Sequence, residues 1–147
     1  MGKFLEFVGM LIAMVIAGAL VRGCMKSSVG PGSSNTASAS DIVYTASRES
    51  NKRLPMMVDS ETRLDTTTAS HGGSRFTYKY TMVNRRSTEI DRSAFRSSVF
   101  PQVKNSVCQS ADMARIFKLG VTIVYAYSGN DGVQFDQLEL SPRDCGY

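Results

Sequence analysis

Two segments alternate aromatic and polar residues strictly enough to demand a β-sheet with one covered face. In "RFTYKYTMV" (Arg75 to Val83), Phe76, Tyr78, Tyr80 and Met82 share one side, against Thr77, Lys79 and Thr81 on the other. In "VTIVYAY" (Val121 to Tyr127), Val121, Ile123, Tyr125 and Tyr127 do the same. A period of two reads as strand. Two weaker candidates accompany them. "TRLDTTTAS" (Thr62 to Ser70) is rich in β-branched residues and joins Arg75–Val83 through the turn "SHGGS" (Ser70 to Ser74). "VQFDQLEL" changes phase between Phe135 and Leu138, which implies a bulge, and follows the hairpin loop "SGNDG".

Helical patterns fill the remaining positions. "DIVYTASRESNKRL" begins after Ser40, which can accept from exposed amides, with Asp41 at the positive end of the dipole. Pro55 ends it. Phe95, Val99, Val103 and Val107 recur every four residues, an apolar helical stripe. Pro101 inside that stripe predicts a kink or break near Phe100. Ser110 caps a short helix, "ADMARIFKLG", that ends at Gly120. The expected fold is α+β: a roughly four-stranded, mainly antiparallel sheet with helices on one face. It occupies residues 41–147 and is preceded by one N-terminal membrane helix.

That membrane helix is read from residues 1–26. Phe4 to Val21 is apolar except for Glu6. At about 1.5 Å per residue it spans roughly 27 Å, near the roughly 30 Å hydrocarbon core of a bilayer. Counted from Phe7 it shortens to roughly 22 Å, the length of a signal-peptide core. Gly9, Ala13 and Ala17 form a small-residue face. Cys24 follows Val21-Arg22-Gly23. Arg22 is a poor neighbour for a lipoprotein cleavage site, and with Lys26 it resembles the polar flank of an uncleaved helix. The reading is a single-pass anchor, with lipidation at Cys24 or cleaved export as alternatives. Residues 27–40, "SSVGPGSSNTASAS", have no periodicity and form a flexible linker with a typical span of roughly 20 Å.

Charge and motifs bound the chemistry. The net charge is +4 across 147 residues, and the basic residues are scattered apart from Lys52-Arg53 and Arg85-Arg86. That is not the dense stripe of a nucleic-acid binder, so no nucleic acid is expected. No nucleophile elbow, phosphate-binding glycine loop, zinc-binding helix or calcium loop occurs. His71 stands alone in a glycine turn. No cofactor is implied and no catalytic set is assigned. Asp59, Glu61 and Asp65 in "VDSETRLD" are the one candidate carboxylate cluster for an alternative enzyme or metal-dependent role. Tyr78, Tyr80, Tyr125 and Tyr127 are read either as core or as a groove for a partner's amphipathic helix. Cys108 and Cys145 sit at the domain's edges; paired, they would imply an oxidising compartment, and unpaired they would be separate thiols. A third reading is a structural membrane subunit.

The stretch "VCQSADMARIFKLGVTIVYAYSGNDGVQFDQLELSPRDCGY" resembles the end of small periplasmic pilotins of type II secretion systems. "NKRLPMMVDSETRLD" also looks like parts of small bacterial membrane-anchored proteins. The pilotin resemblance implies a small α/β domain, a Cys108–Cys145 disulfide and a groove that binds a short secretin helix. Together with the anchor read from residues 1–26, a disulfide would put the domain in the periplasm of a bacterium, with the chain running N-in, C-out through the inner membrane or, alternatively, held as a lipoprotein through Cys24. Pilotins are outer-membrane lipoproteins, a pattern from which Arg22 departs. The expected partners are therefore a membrane and an amphipathic helix of a secretion or envelope protein.

Overall fold

Ser38, two residues before the expected cap, starts the first helix, α1 (Ala39–Asn51). Its hydroxyl accepts from the Asp41 amide, and the Asp41 carboxylate accepts from the Ser38 amide and hydroxyl. This reciprocal box satisfies two helix-end donors at once, which Ser40 could not do with Asp41 adjacent to it. The structure, a computed structural model, describes residues 38–70, 72 and 74–147. The expected anchor over 1–26, Cys24, most of the linker and His71 lie outside the described residues. Among the described residues no helix is long and apolar enough to cross a membrane.

The fold is α+β with five strands rather than four. They are β1 (Met56–Met57), β2 (Thr62–Ala69), β3 (Arg75–Met82), β4 (Thr122–Gly129) and β5 (Gln134–Leu140), in spatial order β1-β2-β3-β4-β5. Two residues of β1 carry no detectable period, so only pairing with β2 reveals them. The hairpins β2–β3 and β4–β5 are antiparallel as expected. β3 and β4, however, pair in parallel. Parallel neighbours cannot be joined by a tight turn and need a crossover, and here α2 (Arg92–Gln109) and α3 (Ala111–Lys118) supply it. Bulges fall at Asp65 in β2 and at Phe135 in β5. The first accounts for the weak alternation of the threonine-rich strand and the second for the change of phase in β5.

α2 runs through Pro101 without a break. A proline removes one helix hydrogen bond. Here apolar contacts hold both sides of the gap: Phe95 and Val99 pack on the core before Pro101, and Val103 and Val107 are buried after it. α3 is capped by Ser110, whose hydroxyl accepts from the Met113 amide.

One apolar cluster joins Val43 and Ala46 of α1, Val103 and Val107 of α2, and Met113 and Phe117 of α3 to the inward residues of the strands. All three helices therefore cover the same face. On the other face Val124 and Ala126 are buried outside that cluster, between the flanking strands, which carry Lys79 and Glu139 there. Arg75 and Glu139 pair on that open face at 2.6 Å. α1 is fixed to β2 by polar contacts: the Ser47 hydroxyl donates to the Thr67 carbonyl at 3.0 Å, and the Asn51 side chain both donates to and accepts from the Thr67 backbone. Cys108 at the end of α2 is bonded to Cys145 in the C-terminal turn, with Cα atoms 5.0 Å apart. Closing that loop stabilises the domain by about 3–4 kcal/mol in the chain-entropy picture.

The other end of α2 is held by charge. Asp136 of β5 is buried, and it accepts from Arg96 Nε and Nη2 at 2.7 and 2.6 Å and from the Gln137 amide at 2.8 Å. Burial alone would raise its pKa. The Arg96 hydrogen bonds, the Gln137 amide and the charges of Arg96 and Arg92 outweigh burial and hold it below the ordinary carboxylate range. A depressed folded pKa contributes stability that is complete above the unfolded value of about 4 and is lost as pH falls through the folded value. Asp136→Asn is therefore expected to lower stability at pH 7 by about 1–3 kcal/mol, the half-exposed Arg96 limiting the loss. Urea melts should show a gap between wild type and variant at pH 7 that narrows at pH 3.

Candidate functional site

Parallel pairing places Tyr78 opposite Tyr125 and Tyr80 opposite Tyr127. Their rings stack at 5.3 and 5.4 Å between centroids, and Tyr80 also stacks on Tyr125 at 6.3 Å. Phe95 of α2 meets Tyr127 edge-on at 4.9 Å and Phe135 at 5.1 Å. These offset and edge-on contacts suit the quadrupoles of the rings. The result is an aromatic seam along the β3–β4 junction. α1 packs on β2 and β3, whereas α2 packs on α3, β5 and the C-terminal turn, so the seam lies between the territories of the two helices.

The four tyrosines do not form a free face. Each is at most 3% exposed. A face rich in rings on a small domain removes more apolar area when covered than when wet, and α1 and α2 provide that cover. Burial pushes all four phenols above their usual pKa; neighbouring rings add to the effect at Tyr80 and Tyr125, and the Asp59 carboxylate adds to it at Tyr127.

The expected carboxylate cluster is dispersed. Asp65 lies on the open face, bonded to Arg63 and Thr81. Glu61 enters β2, where its carbonyl accepts from the Val83 amide. Asp59 closes the β1–β2 connection: Oδ1 accepts from the Glu61 and Thr62 amides at 2.7 and 2.8 Å. Among the described residues no three metal-ligating side chains converge. The motif that could hold a metal or run acid–base chemistry is thus split between two faces of one sheet, since the bulge at Asp65 and the turn at Asp59 send their side chains apart.

One feature of the seam escaped the sequence. Asp59 Oδ2, Tyr80 Oη and Tyr127 Oη are all buried and none has a hydrogen-bond partner among the described residues. Buried polar atoms are nearly always paired, because an unmade bond costs about 1–3 kcal/mol. Here three unpaired atoms belong to stacked neighbours and to the carboxylate whose field reaches one of them. Leu54, Met56, Met82, Ile90, Phe95 and Val99 pack on the same core cluster while staying partly exposed. Apolar surface with a few polar groups is the material from which recognition sites are commonly built. The sequence carried half of this signal in the tyrosine alternation; nothing in "VDSETRLD" marks Asp59, rather than Asp65, as the inward carboxylate.

No protein-family model and no curated protein matches the chain. Solved structures do. A protein of Pseudomonas aeruginosa, provisionally described as secreted, superposes with a TM-score of 0.62 at 16% identity, covering 73% of this chain and 92% of its own. The type II secretion pilotin EpsS of Vibrio vulnificus matches with a TM-score of 0.59 at 8% identity, over 74% of this chain and 93% of the pilotin. The Vibrio cholerae pilotin AspS matches at 0.56 and 13%, over 73% and 92%. The fold is pilotin-like. At these identities the likeness is one of fold, and it bears out the resemblance read from the C-terminal stretch.

If Tyr127 Oη has no partner, deleting it leaves nothing unpaired. Tyr127→Phe is expected to leave stability unchanged or to raise it by up to about 1 kcal/mol. Tyr127→Ala, which empties a ring-sized space, should lower it by about 3–5 kcal/mol. Denaturant melts of the two variants against wild type check both values.

Proposed function

We propose that the protein is a non-catalytic assembly factor of the bacterial envelope, pilotin-like in action as well as in fold. Residues 1–26 tether it to the inner membrane, residues 27–40 give the domain reach, and the domain works in the periplasm. It takes a short amphipathic helix of a secretion or envelope protein over a partly exposed apolar rim, formed by Leu54, Met56, Met82, Ile90, Phe95 and Val99 where they pack on the core outside the covered aromatic seam. The observation that carries this reading is the set of apolar residues that pack on the core yet stay partly exposed, in a domain whose core also holds three buried polar atoms unpaired among the described residues. The two pilotin structures of the same fold support it. The disulfide fits an oxidising compartment.

A helix bound there would present residues at i, i+3 and i+4 to the rim, as helix-in-groove complexes do. Val99→Glu places a charge in the middle of such a contact. It is expected to weaken binding of an 18-residue amphipathic helical peptide to the full-length protein at least about tenfold, or ~1.4 kcal/mol. Lys79→Glu, on the open face of the sheet, should leave the affinity unchanged. Fluorescence anisotropy of the labelled peptide reads both. Equal losses in the two variants would indicate attraction by charge alone and would count against the rim.

A further inference from the structure

We infer that Arg92, at the start of α2, binds a carboxylate of the docked helix, so that the partner is an acidic amphipathic segment whose Asp or Glu residues border its apolar stripe. The inference rests on the rim being the docking surface and adds the chemistry of the partner. Residues three and four apart are neighbours on a helix. Arg92 therefore lies beside Phe95 and Arg96, and Arg96 lies beside Val99 and Phe100. The contacts agree with that spacing. The Arg96 guanidinium carbon is 5.4 Å from the centre of the Phe100 ring, and Phe100 meets Phe95 edge-on at 5.9 Å. Phe95, Val99 and Phe100 are all half-buried, so this part of the rim is open to a partner.

Both guanidiniums face one carboxylate. Arg96 takes the two oxygens of Asp136 at 2.7 and 2.6 Å, and the Gln137 amide adds a third bond at 2.8 Å. Arg92 stands 3.9 Å from Oδ1, too far for a hydrogen bond. It lends Asp136 its charge and keeps its own donors for another acceptor. Exposure decides which sign a partner meets. The Asp136 side chain is 1% exposed, whereas those of Arg92 and Arg96 are 63% and 53% exposed. The countercharge lies inside and the guanidiniums outside. Arg86 repeats the pattern, exposed itself and 4.0 Å from a largely covered Asp131. The neighbouring acids are engaged by backbone: Glu89 accepts from the Arg86 amide, and Asp91 from the amides of Ser93 and Ala94. A net charge of +4 on the chain favours an acidic partner as well.

A planar guanidinium holds a carboxylate best through two parallel bonds. Arg92 has that fork free, whereas Arg96 has committed Nε and Nη2 to Asp136. Arg92 is thus the main contact, and Arg96 offers Nη1 one turn further along. Two acids four apart on the partner helix match that spacing. A phosphate fits the same fork. Attraction to an anionic membrane, however, is built from clusters of about four or more basic residues. The arginines here stand beside half-buried rings, which suits carboxylates set along an apolar peptide face.

The test uses the full-length protein and two labelled amphipathic helical peptides with the same apolar stripe. One carries two glutamates four apart along the border of the stripe, and the other carries glutamines there. Fluorescence anisotropy at physiological salt reads both affinities. The glutamate peptide is expected to bind about fivefold tighter or more, the discrimination of a charge-assisted bond made at the border of an interface. Arg92→Gln should bring the two peptides to equal affinity with little change in melting temperature, since Arg92 makes no hydrogen bond to Asp136. Arg115→Gln removes the same charge from α3 and should keep the preference. Equal affinity of the two peptides for wild type, with Val99→Glu still weakening both, would overturn the inference and leave docking at the rim standing. Binding of neither peptide would overturn docking and the inference with it. An equal loss of preference in Arg92→Gln and Arg115→Gln would mean general attraction by net charge and would overturn the assignment to Arg92. Arg92-dependent binding of monomeric dihexanoylphosphatidylglycerol, with no preference between the peptides, would give the guanidinium to a lipid headgroup and overturn the acidic helix.

Discussion

Pairing β3 with β4 in parallel is the constraint from which the rest of the domain follows. It brings two tyrosine-bearing strands side by side with their rings in register, Tyr78 against Tyr125 and Tyr80 against Tyr127. It also makes a crossover obligatory, because the end of one strand and the start of the next lie at opposite ends of the sheet. α2 and α3 are that crossover. Arg96 ties the start of α2 to Asp136, and Cys108 ties its end to Cys145. A long helix fastened at both ends cannot shift far, so α2 remains over β4 and β5 while α1 is fastened separately to β2 through Ser47 and Asn51. Gly129 completes the arrangement at the strand's end. A side chain there would meet the Ser87 amide at 2.2 Å, so only glycine lets the 85–89 segment seat closely and lead into α2.

On the reading proposed above, the core and its neighbouring apolar rim answer to two demands that pull in different directions. As core, the seam holds large rings with almost no exposure, and such rings dominate the stability of a small domain. The core also retains three buried polar atoms, unpaired among the described residues, where a purely structural core would carry hydrocarbon or paired groups. Functional sites commonly violate the rules that the rest of a fold obeys. Here the unpaired atoms belong to Tyr80, Tyr127 and Asp59, while farther along β3 the rings of Phe76 and Tyr78 pack on each other at 4.8 Å.

Much of this was readable from residues. Strict alternation gave β3 and β4, the fourfold stripe gave α2, and the paired edge cysteines gave the disulfide that is present. The C-terminal resemblance pointed to the pilotin-like fold. The parallel pairing was not readable, because a strand's own sequence does not record its neighbour's direction; the long helical stretch between Val83 and Val121 was the available clue. β1 is two residues long and has no period to detect. The tyrosines looked like a possible surface because alternation identifies a covered face without saying whether the cover comes from the same chain. Asp59, Glu61 and Asp65 looked like a cluster because sequence proximity ignores a turn and a bulge that separate side chains lying a few residues apart.

The central claim is that four of the six tyrosines form a water-excluded seam, and an alkaline titration followed by tyrosinate absorbance and near-ultraviolet circular dichroism tests it most directly. Burial raises the phenol pKa of Tyr78, Tyr80, Tyr125 and Tyr127. The unfolded chain begins to ionise near pH ~10 while the folded seam resists, so the stability these rings contribute is complete below that value and falls as pH rises above it. The account predicts that the four seam tyrosines ionise together, in one cooperative step that coincides with loss of the circular dichroism signal. Gradual ionisation of all six tyrosines with the signal intact would show the rings open to water and would contradict it.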